Sequence, residues 1–190
     1  MITPVLRCTY LNVFEAKPNP SGKLKFSTAA LISKKDKKGL DEIKAAINAA
    51  VQKGIEMNKF TKQQVASLRL PLRDGDAEYE SGDRGPEYKG HYFFNCSSDN
   101  KPGIVKAQKG GAPVPLFDPD ELYSGCYVRL DCNFFPYNQA GNRGVGCGLN
   151  NVMLVKQGDR LDGRMNADQA FAQYTEEDVE DDAVETSDLE

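Results

Sequence analysis

The chain has 190 residues, no Trp, 9 Phe and 8 Tyr, enough for one domain that buries its core without disulfide or metal staples. No apolar run is long enough to span a membrane, and Met1–Arg7 opens no signal-peptide pattern, so neither a membrane partner nor export is expected. The net charge of −4 hides a segregation: residues 175–190 hold nine acids and no base, which leaves 24 bases against 19 acids, a net of +5, in residues 1–174; a basic body with an acidic tail points toward nucleic acid.

Residues 4–15 are rich in β-formers and read as a first strand, with either a bulge or two-sided burial suggested by the adjacent Tyr10 and Leu11. Lys17–Lys23 is a turn by composition, and a second strand follows at 24–33, with Leu24, Phe26, Thr28, Ala30 and Ile32 on one face. The run Lys34–Lys38 is either a solvated loop or a phosphate clamp. Leu40, Ile43, Ile47, Ala50, Val51 and Ile55 recur at helical spacing and predict a helix over 40–57, with a second helical piece from Thr61 that ends by Pro71. Residues 71–90 form a polar excursion whose Asp74, Asp76, Glu78, Glu80 and Asp83 are either a solvated loop or the metal site of a nuclease.

A third strand spans 89–98, with His91 and Phe93 on one face and Tyr92 and Phe94 on the other. Such a strand is either fully buried or has one face awaiting a ligand. A short strand at 103–107 is followed by a loop from Gln108 to Pro115 and a turn at Asp118–Tyr123.

The stretch Ser124–Val155 organises the rest. It reads as two strands joined by a polar, glycine-rich loop over Asn138–Gly144. Cys126, Val128, Leu130, Cys132 and Phe134 alternate onto a core face, while Tyr127, Arg129, Asp131, Asn133, Phe135 and Tyr137 fall on the other. Rings beside cations suit single-stranded nucleic acid, whose bases stack on them. The candidate contacts are Tyr127, Arg129, Phe135, Tyr137, Tyr92 and Phe94, with Arg143 on a loop able to close over the strand, and Lys25, Lys34 and Lys35 for phosphates. The competing arrangement packs Tyr127, Phe135 and Tyr137 under the 40–57 helix or in a homodimer interface.

The five cysteines are odd in number and lack metal-site spacing, so buried free thiols are expected, with no metal or other cofactor. With one His and no phosphate-cradling Gly-Lys-Ser/Thr loop, neither a catalytic triad nor an ATPase is expected. Beyond a turn-rich exit at 156–164 come a tether at 165–174 and a tail at 175–190, too polar to order itself.

Several segments, taken in order, resemble the single-stranded-DNA-binding proteins of tailed bacteriophages. These are Lys25-Phe26-Ser27 through Ile32-Ser33-Lys34, Gly90-His91, Tyr123-Ser124-Gly125-Cys126-Tyr127, Gly144, Gly148-Leu149-Asn150 and Leu161-Asp162-Gly163-Arg164. The resemblance covers about residues 5–164 and implies a mainly β OB-fold, a five-stranded partly open barrel with an inserted helix and long loops, as a domain over 1–164. It implies non-specific single-stranded-DNA binding, without catalysis, in phage replication, recombination or repair in the cytoplasm of a bacterial host. The tail residues Glu176, Glu177, Asp178, Asp181, Asp182 and Leu189 would dock replication or recombination partners, although the chain closes on Asp188-Leu189-Glu190 where some such proteins end in an aromatic residue. The competing classes are a metal-dependent nuclease built on residues 74–83 and a non-catalytic protein-interaction module.

Overall fold

In the computed structural model, which describes residues 1–161 and Gly163, the organising stretch is a long antiparallel hairpin. Strand β7 (Tyr127–Gln139) pairs with β8 (Asn142–Lys156) from Tyr127↔Lys156 to Gln139↔Asn142. The expected loop over Asn138–Gly144 is instead a two-residue turn. Ala140 and Gly141 both have positive φ (48° and 82°), the geometry that matches the twist of a tight hairpin. Arg143 pairs with Asn138 inside the ladder, so it sits on a strand and not on a movable flap.

The other strands close a barrel on this hairpin. Strand β1 (Leu6–Pro18) pairs with β2 (Leu24–Ser33), and β2 with β4 (His91–Ser98). Leu6 and Arg7 of β1 also pair with Val128 and Tyr127 of β7, and Ser97 of β4 bridges Gly148 of β8 in parallel. The ring β1-β2-β4-β8-β7 is thus five strands returning on themselves, an OB-fold barrel. Strand β5 (Gly103–Gln108) runs parallel to the lower half of β8. The segment read from sequence as the loop Gln108–Pro115 is a sixth strand, β6 (Gly111–Pro115), which pairs with β5.

Alternate residues fill the barrel: Leu6, Cys8, Val13, Ala30, Ile32, Phe94, Cys96, Val128, Leu130, Cys132, Leu149 and Val152. All five cysteines are buried and unbridged. Burial, with the neighbouring Cys126, pushes the Cys8 thiol up to about 12. Helix α1 (Lys37–Glu56) begins at Asp36, whose carboxylate accepts from the Gly39 amide, so the basic run is partly a helix start. Its Ala50 and Val51, with Phe60, cover Val145 and Phe134, the inward side of the protruding hairpin. Residues Lys62–Ser67 form a 3₁₀ turn, and Arg69 then adds to the free edge of β8, its amide donating to Arg143 and its carbonyl accepting from Val145.

The polar excursion is structured too. Arg73–Asp74 form β3 on the edge of β4, Gly75–Glu80 form α2, and a 3₁₀ turn at Pro86–Tyr88 follows. Tyr88 meets Phe93 edge-on at 4.8 Å and, with Leu31, makes a small second core on the outside of β2 and β4. The tether at 165–174 and the tail at 175–190, with Asp162 and Arg164, lie outside the described residues.

Candidate nucleic-acid interface

On the hairpin, strand parity carries Phe135 and Tyr137 to the outside of the barrel, away from α1. Phe135 is 43% exposed. It pairs across the ladder with Gly146, and a Cβ at that position would fall 2.7 Å from its ring, so the glycine is what lets the ring lie over the sheet. Gly144 stands opposite Tyr137 and Gly148 opposite Asn133. Every second residue of this part of β8 therefore lacks a side chain on the outer face.

The floor continues across the barrel in register. Asn133, Gly148, Ser97, Ser27 and Asn12 form one row from β7 to β1. Thr9, Ala29 and Asn95 form the adjoining row. Small and amide side chains leave a shallow surface over five strands. At its β1 end the Arg84 guanidinium lies over the rings of Tyr10, Tyr88 and Phe93, at 5.2, 5.4 and 5.6 Å. Beside its hairpin end, Lys59, Lys62 and Arg143 line an open cleft of about 500 Å³ at the end of α1, and Arg69 and Arg143 line a second of about 520 Å³. None of these four has a carboxylate partner among the described residues. Lys59 donates to the Pro136 carbonyl at 2.9 Å and so ties this rim to β7.

The residues expected from sequence to touch nucleic acid are only partly gathered here. Phe135 and Tyr137 share the outer face near the hairpin end, whereas Arg143, paired with Asn138, falls by strand parity on the α1 side and lines a cleft with Lys59 and Lys62. Lys25 borders the floor, but its ammonium is 2.8 Å from Asp99. Tyr127 lies on the far side of β1, opposite Arg7, with the Lys156 ammonium 4.4 Å from its ring centre. Arg129 is on the lower hairpin beside β5, where it donates to the Thr3 carbonyl at 2.9 Å. Lys35 is exposed just before α1.

Two aromatic assignments are corrected. Phe94 is wholly buried in the barrel, so it has no ring face to offer. Tyr92, two residues earlier, points to the same inner side, packs on the core and carries the Lys34 ammonium 4.8 Å above its ring. The outward residues of β4 that stay exposed are Asn95 and Ser97, which aromatic content alone does not single out. Lys34 is also committed elsewhere: it bridges Asp74 and Asp76, which hydrogen-bond it, raise its pKa and have their own lowered. Lys59, Lys62, Arg69, Arg84 and Tyr10 were missed, because the first three reach the site through an irregular crossing and the last two through a bulge and an insertion.

The acidic cluster shows the same kind of engagement. Asp74 and Asp76 hold Lys34, and Asp76 also accepts the Gly90 amide. Glu78 pairs with Arg73 at 2.9 Å and with Arg84 at 3.4 Å. Asp74 and Asp76 thus fasten the excursion to the barrel, and Glu78 ties the excursion together within itself. Among the described residues, no three His, Cys, Asp or Glu side chains converge as a metal site, and no helix is long and apolar enough to cross a membrane.

Comparison with known proteins agrees with this architecture. The family model described as Enterobacter phage Enc34, ssDNA-binding protein, matches residues 1–184. A curated relative, "Putative protein p50" of Acyrthosiphon pisum secondary endosymbiont phage 1, is 27% identical over 164 residues, 83% of this chain and 84% of its own. The single-stranded DNA-binding protein of bacteriophage Enc34, solved in complex with ssDNA, superposes with a TM-score of 0.62 at 18% identity, over 84% of this chain and 88% of that one. Gp2.5, a single-stranded DNA binding protein encoded by bacteriophage T7, gives 0.55 at 15% identity, over 93% and 94%. With the family model spanning nearly its whole length, the chain belongs to the Enc34-type family of phage single-stranded-DNA-binding proteins.

Proposed function

We propose that this protein binds single-stranded DNA without sequence preference, on the outer face of the barrel, and acts in phage DNA replication, recombination or repair in the cytoplasm of a bacterial host. The observation that carries the reading is the small-residue floor over β1, β2, β4, β8 and β7, with the exposed Phe135 ring on it and, beside its hairpin end, Lys and Arg that have no carboxylate partner among the described residues. Unpaired bases stack on such rings for roughly 1–3 kcal/mol each, whatever their identity. Lys59, Lys62, Arg69 and Arg143 neutralise phosphates and release counterions. A duplex keeps its base faces stacked inside, so it reaches the cations but not the rings. The carboxylates of 74–83 act as fasteners in this reading, and the protein is not a nuclease.

The tail adds a second layer. Nine carboxylates within residues 175–190 present a polyanion that competes with DNA for the same cations. DNA, once bound, displaces it and leaves Glu176, Glu177, Asp178, Asp181, Asp182 and Leu189 to replication or recombination partners.

The test is a titration of the full chain with a labelled oligo(dT) and with a duplex of equal length, at several salt concentrations. The single strand should bind more tightly, and log affinity should fall linearly with log salt. Equal affinity for both, or no binding even at low salt, would overturn the reading.

A further inference from the structure

We propose that Tyr10, braced by Arg84, is a second base-stacking station, at the β1 end of the floor and opposite Phe135. The inference rests on the reading that the outer face takes single-stranded DNA. Its ground is the way β1 departs from regularity. Thr9 pairs with Ala29 and Asn12 with Ser27, so Tyr10 and Leu11 together stand opposite Thr28 alone. The bulge sends the two residues opposite ways. Leu11 packs on the core and its amide donates to Ser124 Oγ at 3.1 Å, whereas Tyr10 is turned out, 54% exposed.

The turn-out is held against the backbone's preference. Tyr10 has φ 48°, in the left-handed region that a bulky residue rarely occupies. The Asn12 side-chain Nδ2 donates to the Tyr10 carbonyl at 3.1 Å and also reaches Ser27 Oγ at 3.4 Å, fixing the bulge to β2. A strained position of this kind marks ligand clamps more often than plain surface.

The surroundings supply the rest of a station. Arg84 is held by Glu78 and lies over the Tyr10 ring, adding a planar cation beside a planar π-system. Next to it the Tyr88 hydroxyl is buried with no hydrogen-bond partner among the described residues. Along the row through β2, β4 and β8, four inter-strand steps lead from β1 to β7, about 19 Å along the curved face. That span lies within the length of strand, about 4–16 nucleotides, that one OB-fold covers.

Because the chain has no Trp, Tyr10→Trp supplies a sole indole reporter. Adding oligo(dT) at low salt should quench it, and added salt should reverse the quench. Ile2→Trp, exposed on the lower hairpin beside Asp131, should not respond. Tyr10→Phe should bind like the wild type. Tyr10→Gly, which suits a positive φ, should lose about fivefold or more in affinity with no fall in melting temperature. An unquenched indole in Tyr10→Trp, equal quenching in both reporter variants, or Tyr10→Gly binding within twofold of wild type would overturn the station. The parent reading fails separately, if the wild-type chain does not bind single strands; wild-type binding weakened by Phe135→Ala but untouched by Tyr10→Gly rejects the station alone.

Discussion

Phe94 and Phe135 have the same side chain and opposite surroundings, which makes them a matched pair for experiment. Phe94 is sealed among Cys96, Ile32 and the tilted ring of Phe134, whose centre is 5.6 Å away. Phe94→Ala should cost about 3–5 kcal/mol of folding stability, read as a lower urea midpoint. Phe135→Ala removes a half-exposed ring and should cost roughly 1–3 kcal/mol of single-stranded-DNA affinity while the melting temperature barely moves. A similar contrast applies to the lysines. Lys34 already serves Asp74 and Asp76, so Lys34→Gln should leave DNA affinity and its salt slope nearly unchanged and weaken folding instead. The sign with pH follows from the carboxylates. Their pKa values are depressed by Lys34, so the clamp is intact at neutral pH and is lost as pH falls through those depressed values. Wild type and Lys34→Gln should therefore converge in stability in acid, as denaturant curves at pH 7 and near pH 3 would show. Sequence parity separated Phe134 from Phe135 but not the two faces of β4, because aromatic residues occupy both and the covering excursion lies elsewhere in the chain.

At the scale of elements, the β7–β8 hairpin owes its reach to its turn. Asn138-Gln139-Ala140-Gly141-Asn142-Arg143 reads as a loop by composition, yet the ladder continues to Gln139↔Asn142. Ala140 sits at φ 48° and bears the cost of a Cβ there. Ala140→Gly should stabilise the protein by a few tenths to about 1 kcal/mol, measured by thermal or denaturant unfolding, with DNA affinity preserved. Helix α1 was legible from its apolar spacing, and its start lies three residues earlier because Asp36, inside a basic run, serves as the cap. Strands β3 and β6 were not legible. The first is two residues long, and the second, Gly-Ala-Pro-Val-Pro, gains its pairing from β5 and not from its own propensity.

For the whole molecule, the closed ring β1-β2-β4-β8-β7 was anticipated by the order of short motifs along the chain, and the segregated charge by simple counting. What no local pattern announces is that residues 71–90 fold back over β2 and β4, so that an acidic segment contributes Arg84 to the outer face. In the proposed reading, the acidic tail and DNA compete for the same cations. Deleting residues 175–190 should tighten single-stranded-DNA binding, most at low salt, and the gain should fade as salt screens the competition; unchanged affinity at low salt would remove the tail from the groove. The interior has a consequence of its own. Five sulfhydryls line the barrel and none is exposed, with Cys8 held protonated at any physiological pH. An alkylating reagent therefore meets its targets only when the barrel opens, and the pace of labelling becomes a clock for that opening, one that DNA should slow if it clasps β1 to β7.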